Sequence, residues 1–324
     1  MKTVIQSGYG APAKVLRIVV EDQPAPTDEQ VLLRVVASSV NSGDWRQVLG
    51  IPRWARPMMG GLRTPKNPHL GGDAAGVVEA VGSAVSHVKP GDEVFGMRSG
   101  AFAEYVAGKS FVRKPANMSL EQAAAVPIAA LTALQGLRDH GHLAGGEHVL
   151  INGAGGGVGH FAVQIAKALG AQVTATTRTD KLDLVRDAGA DHVIDYTRED
   201  FRRGGRRFDL VVDMGSPAPL SKLRGVLVPG GRFVQIGANK GVAGPLGRIV
   251  VSNFRRRVLK QPVTFFLAKP NLADLETLRE LAELGKLRPI IERTYSLDQI
   301  AEAIAYAATE RAKGKIGIRV HSAK

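Results

Sequence analysis

The stretch Ile151–Lys181, INGAGGGVGHFAVQIAKALGAQVTATTRTDK, decides the fold. A short apolar run, EHVLIN, leads into a glycine-packed turn and then into a segment whose apolar residues have helical spacing. Val158, Phe161, Ala162, Ile165, Ala166 and Leu169 fall on one face, with His160, Gln164 and Lys167 elsewhere. A second strand, AQVTATT, follows at once. The turn reads Ala154-x-Gly156-x-x-Gly159, with Gly157 and Val158 between the glycines. Strand, glycine turn and helix in this order place free N–H groups and the positive end of a helix dipole where an anion can sit. No Gly-Lys-Ser/Thr follows, which excludes a Walker-type loop.

The ligand fitting this turn is a dinucleotide, held by its pyrophosphate. Sites selective for NAD place an acid about 20 residues on, against the ribose hydroxyls. This chain has Thr177 and Arg178 there, and Lys181 close by. Hydroxyls and a guanidinium suit a 2′-phosphate that a carboxylate would repel, so the expected cofactor is NADPH.

Outward from this stretch the pattern is regular. DKLDLVRDAG is helical, HVIDY and FDLVVDMG are strands, PLSKLRGVL is helical and GRFVQIG is a strand. Strands alternating with helices predict crossover units on a doubly wound parallel sheet. Residues up to about 120 are β-rich instead, with QVLLRVVASSV and GVVEAVG broken by turns such as VKPGDEV. SLEQAAAVPIAALTALQGL is helical, opened by Ser119 with Gln122 three residues on, a capping box. NLADLETLRELAELG is helical, and the closing strand KIGIRV is expected to return to the first domain.

Composition limits the rest. In 324 residues there is no cysteine, which excludes disulfides and thiolate metal sites. No run of about 18 apolar residues indicates a membrane span, and MKTVIQSGYG lacks the apolar core of a secretion signal, so the expected compartment is the cytoplasm. The net charge of +13 is not organised for nucleic acid. Its clusters, Arg202–Arg207 and Arg255–Arg257, lack interleaved stacking aromatics, and the expected partners are small molecules.

Several stretches together resemble one family: NGAGGGVGHFAVQIAKALGAQV, GADHVIDYTRED, FDLVVDMGS, LVPGGRFVQIG, GGDAAGVVEAVGSAVSHVKPGDEVFG, EQAAAVPIAALTALQGL and KGKIGIRV. They resemble the zinc-independent quinone oxidoreductase branch of the medium-chain dehydrogenase/reductase superfamily and cover nearly the whole chain. The resemblance implies an α/β protein: a GroES-like β-barrel catalytic domain, residues 1–121 and 269–324, and a Rossmann NADPH-binding domain, residues 122–268. It implies reduction of a quinone or α,β-unsaturated carbonyl. An enoyl-thioester reductase and a non-catalytic NADPH-binding regulatory or nucleic-acid-binding protein are the alternatives. Where zinc-dependent relatives carry metal ligands, this chain has Asn41, Gly72 and Asp73, so no metal is expected.

The same resemblance implies site residues. Asn41 and Asp44 stand beside the nicotinamide, Asn41 as an amide donor to the substrate carbonyl or to position the nicotinamide, and Asp44 to orient water or a basic neighbour. Thr132, Ile236, Gly237 and Ala238 pass the nicotinamide ribose. Tyr196 packs near the adenosine phosphate, and Lys313 and Lys315 reach the cofactor from the returning segment. Arg46 replaces a tyrosine of relatives. Trp54, Met58 and Met59, in a Pro- and Gly-rich loop, offer walls for a flat acceptor. QPVTFFLA alternates Val263, Phe265 and Leu267 with Thr264 and Phe266 at an expected sheet edge, which implies a homodimer.

Overall fold

The computed structural model describes residues 1–57, 61–215, 220–236 and 263–321. Its chain divides into two compact units, residues 1–129 with 270–324, and residues 130–269.

The first unit begins with an antiparallel pair, β1 (Lys2–Gln6) and β2 (Leu16–Val20). The long β3 (Val31–Val40) follows, then α1 (Ser42–Leu49), β4 (Asp73–Val81), β5 (Glu93–Met97), β6 (Tyr105–Gly108) and β7 (Ser110–Arg113). α2 (Leu120–Ala124) starts from the expected capping box: Ser119 Oγ accepts from the Gln122 N–H (3.1 Å) and Gln122 Oε1 from the Ser119 N–H (2.9 Å). The helical run then breaks before Pro127, whose ring removes a donor and crowds the preceding turn, and restarts as α3 (Pro127–Gln135) with proline at its first position. The unit boundary lies in α3, eight residues beyond the expected one. α2 packs on β3, β4 and β5, and the Ile128 N–H donates to Asp73, so these residues stay with the first unit.

The second unit is built on β8 (His148–Asn152), α4 (Gly159–Ala168), β9 (Gln172–Thr177), α5 (Leu182–Asp187), β10 (His192–Asp195), β11 (Phe208–Asp213), α6 (Leu220–Arg224), β12 (Leu227–Gln235) and β13 (Val263–Phe265). The strands are parallel, in the order β10-β9-β8-β11-β12-β13. The chain winds outward from β8 to one edge, then crosses back and winds to the other, so its direction reverses between β8 and β11. Ligands of such sheets bind at the carboxyl ends of the strands at that reversal. β8 and β11 are apolar on both faces, as a sheet covered on both sides requires. α4 departs from the expected amphipathic helix: His160 and Gln164 are buried with its apolar face. Their polarity is met locally, His160 Nδ1 bonding to Gly156 O (3.0 Å) and Gln164 Nε2 to His160 O (3.1 Å).

The chain then returns to the first unit through α7 (Leu272–Glu283), β14 (Ile291–Ser296), α8 (Ile300–Ala307) and β15 (Lys315–Arg319). The closing strand thus returns to the first unit as expected, and β15 pairs antiparallel with β3 in a sheet ordered β14-β15-β3-β4-β5-β7 with β6 also on β3. One core, around Val40, Trp45, Val48, Phe102, Ile304 and Ile316, packs behind α1; a second, around Leu33, Val78, Val94 and Phe111, fills the other part of the unit.

Candidate functional site

The second unit carries a turn shaped for a phosphate. Glycine at Gly159 is forced by close packing, because a Cβ there would lie 2.4 Å from Gly153 O and 2.6 Å from Ala154 Cα. At Gly155 it would meet Thr177 Oγ1 at 2.5 Å and the Lys181 side chain at 2.7 Å. Over Gly156, by contrast, the nearest atom is Gly153 O at 3.7 Å. The turn is therefore packed from one side and open above Gly156, next to the start of α4, which is the shape a pyrophosphate needs.

A buried polar row ties this turn to the reversal point of the sheet. Thr176 Oγ1 donates to Asn152 Oδ1 (2.5 Å) and accepts from the Gly153 N–H (3.2 Å). Asn152 Nδ2 donates to Asp213 Oδ1 (2.7 Å), joining the last residues of β8 and β11. These three were not among the expected site residues. For Asn152 and Asp213 the signal in the sequence is a polar residue ending a strand with an apolar centre.

Of the residues expected at the 2′-phosphate, Thr177 and Lys181 are buried against Gly155, beside the turn. Arg178 does not extend alone: its guanidinium is held by both oxygens of Asp180 (3.0 and 2.9 Å). The adjacent strand places Asp195 in register with Thr177. Its carboxyl is committed to the Thr179 hydroxyl (2.6 Å) and Thr197 hydroxyl (2.7 Å), which hold it below the usual carboxylate range. Tyr196 is half-exposed, Ala154 is buried, Thr132 is half-buried in α3, and the Ile236 N–H donates to Asp213 O (2.9 Å). Gly237 and Ala238 lie outside the described residues, as do Met58, Met59 and Arg255–Arg257.

In the first unit, strand register assembles a second site. β3 and β4 pair so that Ser39 faces Asp73, and β3 and β15 so that Val40 faces Ile316. Asn41, the N-cap of α1, is thereby set beside Asp73 and Lys315. Asp73 and Lys315 are fully buried. Asp73 accepts from Ser39 Oγ (2.6 Å), Asn41 Nδ2 (2.7 Å), the Ile128 N–H (2.8 Å) and Lys315 Nζ (3.2 Å). Lys315 Nζ also donates to Asn41 Oδ1 (2.7 Å). Asp44 Oδ2 accepts from the Asn41 N–H (2.7 Å) at the start of α1. Burial pushes the Asp44 carboxyl up to about 7, against the pull of that hydrogen bond.

This geometry gives both Asn41 and Asp44 defined partners. Asn41 is not a spare amide donor: its Nδ2 is spent on Asp73 and, at 3.4 Å, on Ser39 O, while its Oδ1 is taken by Lys315. Asp44 caps α1 and has Lys315 among its charged neighbours. Lys315 joins Asn41 and Asp73, whereas the Lys313 N–H bonds to Glu292 (3.0 Å). Ser39 and Asp73 were missed as site residues; a charged residue opening a strand of small apolar residues was the available signal. Arg46 stacks over Trp45 (4.6 Å) and pairs with Glu310 (3.6 Å). Trp54 is exposed in a short 3-10 turn.

Comparison with known proteins agrees with both halves. Residues 27–116 match the alcohol dehydrogenase GroES-like domain, and residues 188–316 match the zinc-binding dehydrogenase family model. The chain is 32% identical over 331 residues to the chloroplastic quinone-oxidoreductase homolog of Spinacia oleracea, covering 98% of this chain and 97% of that one. The chain belongs to the quinone oxidoreductase branch of the medium-chain dehydrogenase/reductase superfamily. Within the superfamily it is also 34% identical over 311 residues to 2-methylene-furan-3-one reductase of Solanum lycopersicum, covering 91% of this chain and 73% of that one. The Escherichia coli quinone oxidoreductase complexed with NADPH superposes with a TM-score of 0.80 at 26% identity, over 99% of this chain and all of that one.

Proposed function

We propose that this chain reduces quinones or α,β-unsaturated carbonyls with NADPH, without a metal ion. The observation carrying this reading is the cluster at the end of β3: an ammonium, an amide and a carboxylate stand where a zinc site would need thiolate and imidazole. A divalent cation there would meet the ammonium of Lys315, while the Asp73 carboxylate is already taken up by four donors. Among the described residues no group of three or more His, Cys, Asp or Glu is arranged to hold a metal. The Solanum and Spinacia relatives are named for enone and quinone chemistry, which supports the acceptor class.

NADPH, when bound, supplies the hydride. The Gly156–Gly159 turn and the start of α4 hold its pyrophosphate, and Thr177, Arg178 and Lys181 favour the 2′-phosphate. A conjugated acceptor spreads the incoming charge over carbon and oxygen, so it asks less of the protein than a saturated ketone does. Two chains pair through β13, which among the described residues bonds only to β12 and leaves its other side open; a monomer mass by light scattering at micromolar concentration would refute the pairing.

The test of the activity is single-turnover NADPH oxidation with benzoquinone, an α,β-enone, an enoyl thioester and the saturated ketone. Conjugated acceptors should react and the saturated ketone should not. Equal rates for enone and saturated ketone would end the reading.

A further inference from the structure

Hydride addition to the β-carbon of an enone forms a C–H bond and moves the alkene pair toward the carbonyl, whose π pair settles on oxygen. NADPH becomes NADP⁺, and a proton from water later joins the α-carbon. A quinone passes through the corresponding hydroquinone monoanion. Either way a negative oxygen must be met inside the protein. Resting on the reductase reading above, we propose that Lys315 is a catalytic residue whose ammonium meets that oxygen, with Asp73 and Asn41 as the positioning residues that hold it.

The geometry separates this role from that of a counterion. An ammonium has three N–H donors, and Lys315 places two, on Asn41 Oδ1 at 2.7 Å and Asp73 Oδ2 at 3.2 Å. No other described residue accepts a hydrogen bond from it. Asp73 is served by three closer donors, Ser39 Oγ, Asn41 Nδ2 and the Ile128 N–H, at 2.6 to 2.8 Å. Lysine makes the longest of the four contacts of that carboxylate. The shorter bond of the ammonium goes to a neutral amide, which aims it without cancelling its charge. Asp44, the other carboxyl of the cluster, is engaged by the Asn41 N–H.

Stability supplies no reason for a lysine here. A buried ion pair contributes little net stability against a neutral pair of similar size, although removing one partner alone costs about 3–5 kcal/mol. The flanking residues Ile316 and Ile318 show that β15 is otherwise apolar where it meets the core. An ammonium held by an amide and an already satisfied carboxylate is what stabilising a transient oxyanion requires.

The deciding experiment removes both charges together. Lys315→Met alone would strand Asp73 without its cation, so the informative protein is Lys315→Met/Asp73→Asn. With the lysine gone, the Asn41 amide can turn its oxygen toward the new amide, whose own oxygen keeps the Ile128 N–H. The parent must first oxidise NADPH with the enone; failure there removes the reductase reading and this role with it. If the parent is active, the double variant should melt near the parent temperature and still bind NADPH. Its turnover should fall roughly 10²-fold, the loss seen when an oxyanion donor is removed. Recovery of parent turnover in the folded double variant would make Lys315 a counterion only and overturn the proposal while leaving the reductase reading intact. Should that variant not fold, Lys315→Gln decides by the same criterion, since it keeps two N–H donors and lacks the charge. Binding of para-nitrophenol gives a second readout: the bound phenol should ionise at lower pH in the parent than in solution. A shift that survives loss of the charge would equally overturn the role.

Discussion

Asp44 links the candidate site to the pH dependence of folding. Its carboxyl titrates near 7 in the folded chain, against 3.8 ordinarily, because burial disfavours the charged form. Between those values the folded state holds a proton that the unfolded state releases. Stability from this group is therefore present below about pH 4 and is lost as pH rises toward 7. Three pH units at about 1.4 kcal/mol each make roughly 4 kcal/mol. Asp44→Asn removes the titration but keeps an oxygen to accept the Asn41 N–H. The variant should match the parent near pH 4, gain on it by about 1.4 kcal/mol per unit, and level off above about pH 8. Asp73 pushes the Asp44 carboxyl up and Lys315 pulls it down, and both effects are contained in the value of about 7. Urea unfolding followed by Trp45 emission is the assay, in a Trp54→Phe background. Trp45 is buried beside Asp44 and Trp54 is exposed, so the remaining signal reports this region. A stability difference that stays flat from pH 4 to pH 8 would refute the buried, proton-holding Asp44.

The two glycine variants should separate packing from binding. Gly159→Ala, with a Cβ 2.4 Å from a backbone oxygen, should lower the melting temperature and lose NADPH, whereas Gly156→Ala should fold normally and still bind NADPH at least tenfold more weakly; titration and thermal melts check both. NADPH should bind more tightly than NADH, and Lys181→Ala or Arg178→Asp should narrow the ratio of their Kd values; equal Kd in the parent would refute the phosphate pocket. Purified protein should carry no stoichiometric zinc and be indifferent to chelators, and near one zinc per chain by elemental analysis would refute the metal-free site. Asn41→Ala should lower enone turnover tenfold or more, because it removes the shorter bond that aims Lys315, while NADPH affinity stays unchanged.

What the residues declared by themselves were features of local pattern. Helical and strand periods, the Ser119–Gln122 cap and the Ala154–Gly159 turn depend on spacings of a few residues, so a linear reading reaches them. The same reading could not follow α2 onto the first unit's sheet, nor find the break at Pro127, because the capping box and alanine-rich run signalled one continuous helix. It also took His160 and Gln164 for a polar face, although partners four residues away let both be buried. The candidate acceptor site lay furthest from reach. Asn41 and Asp44 were named from resemblance, but the side-chain partner of Asn41 Oδ1 is Lys315, 274 residues away in the chain. Only the pairing of β15 with β3, and of β3 with β4, sets an ammonium between an amide and a carboxylate. Register is a property of three strands at once, and no spacing along one of them encodes it.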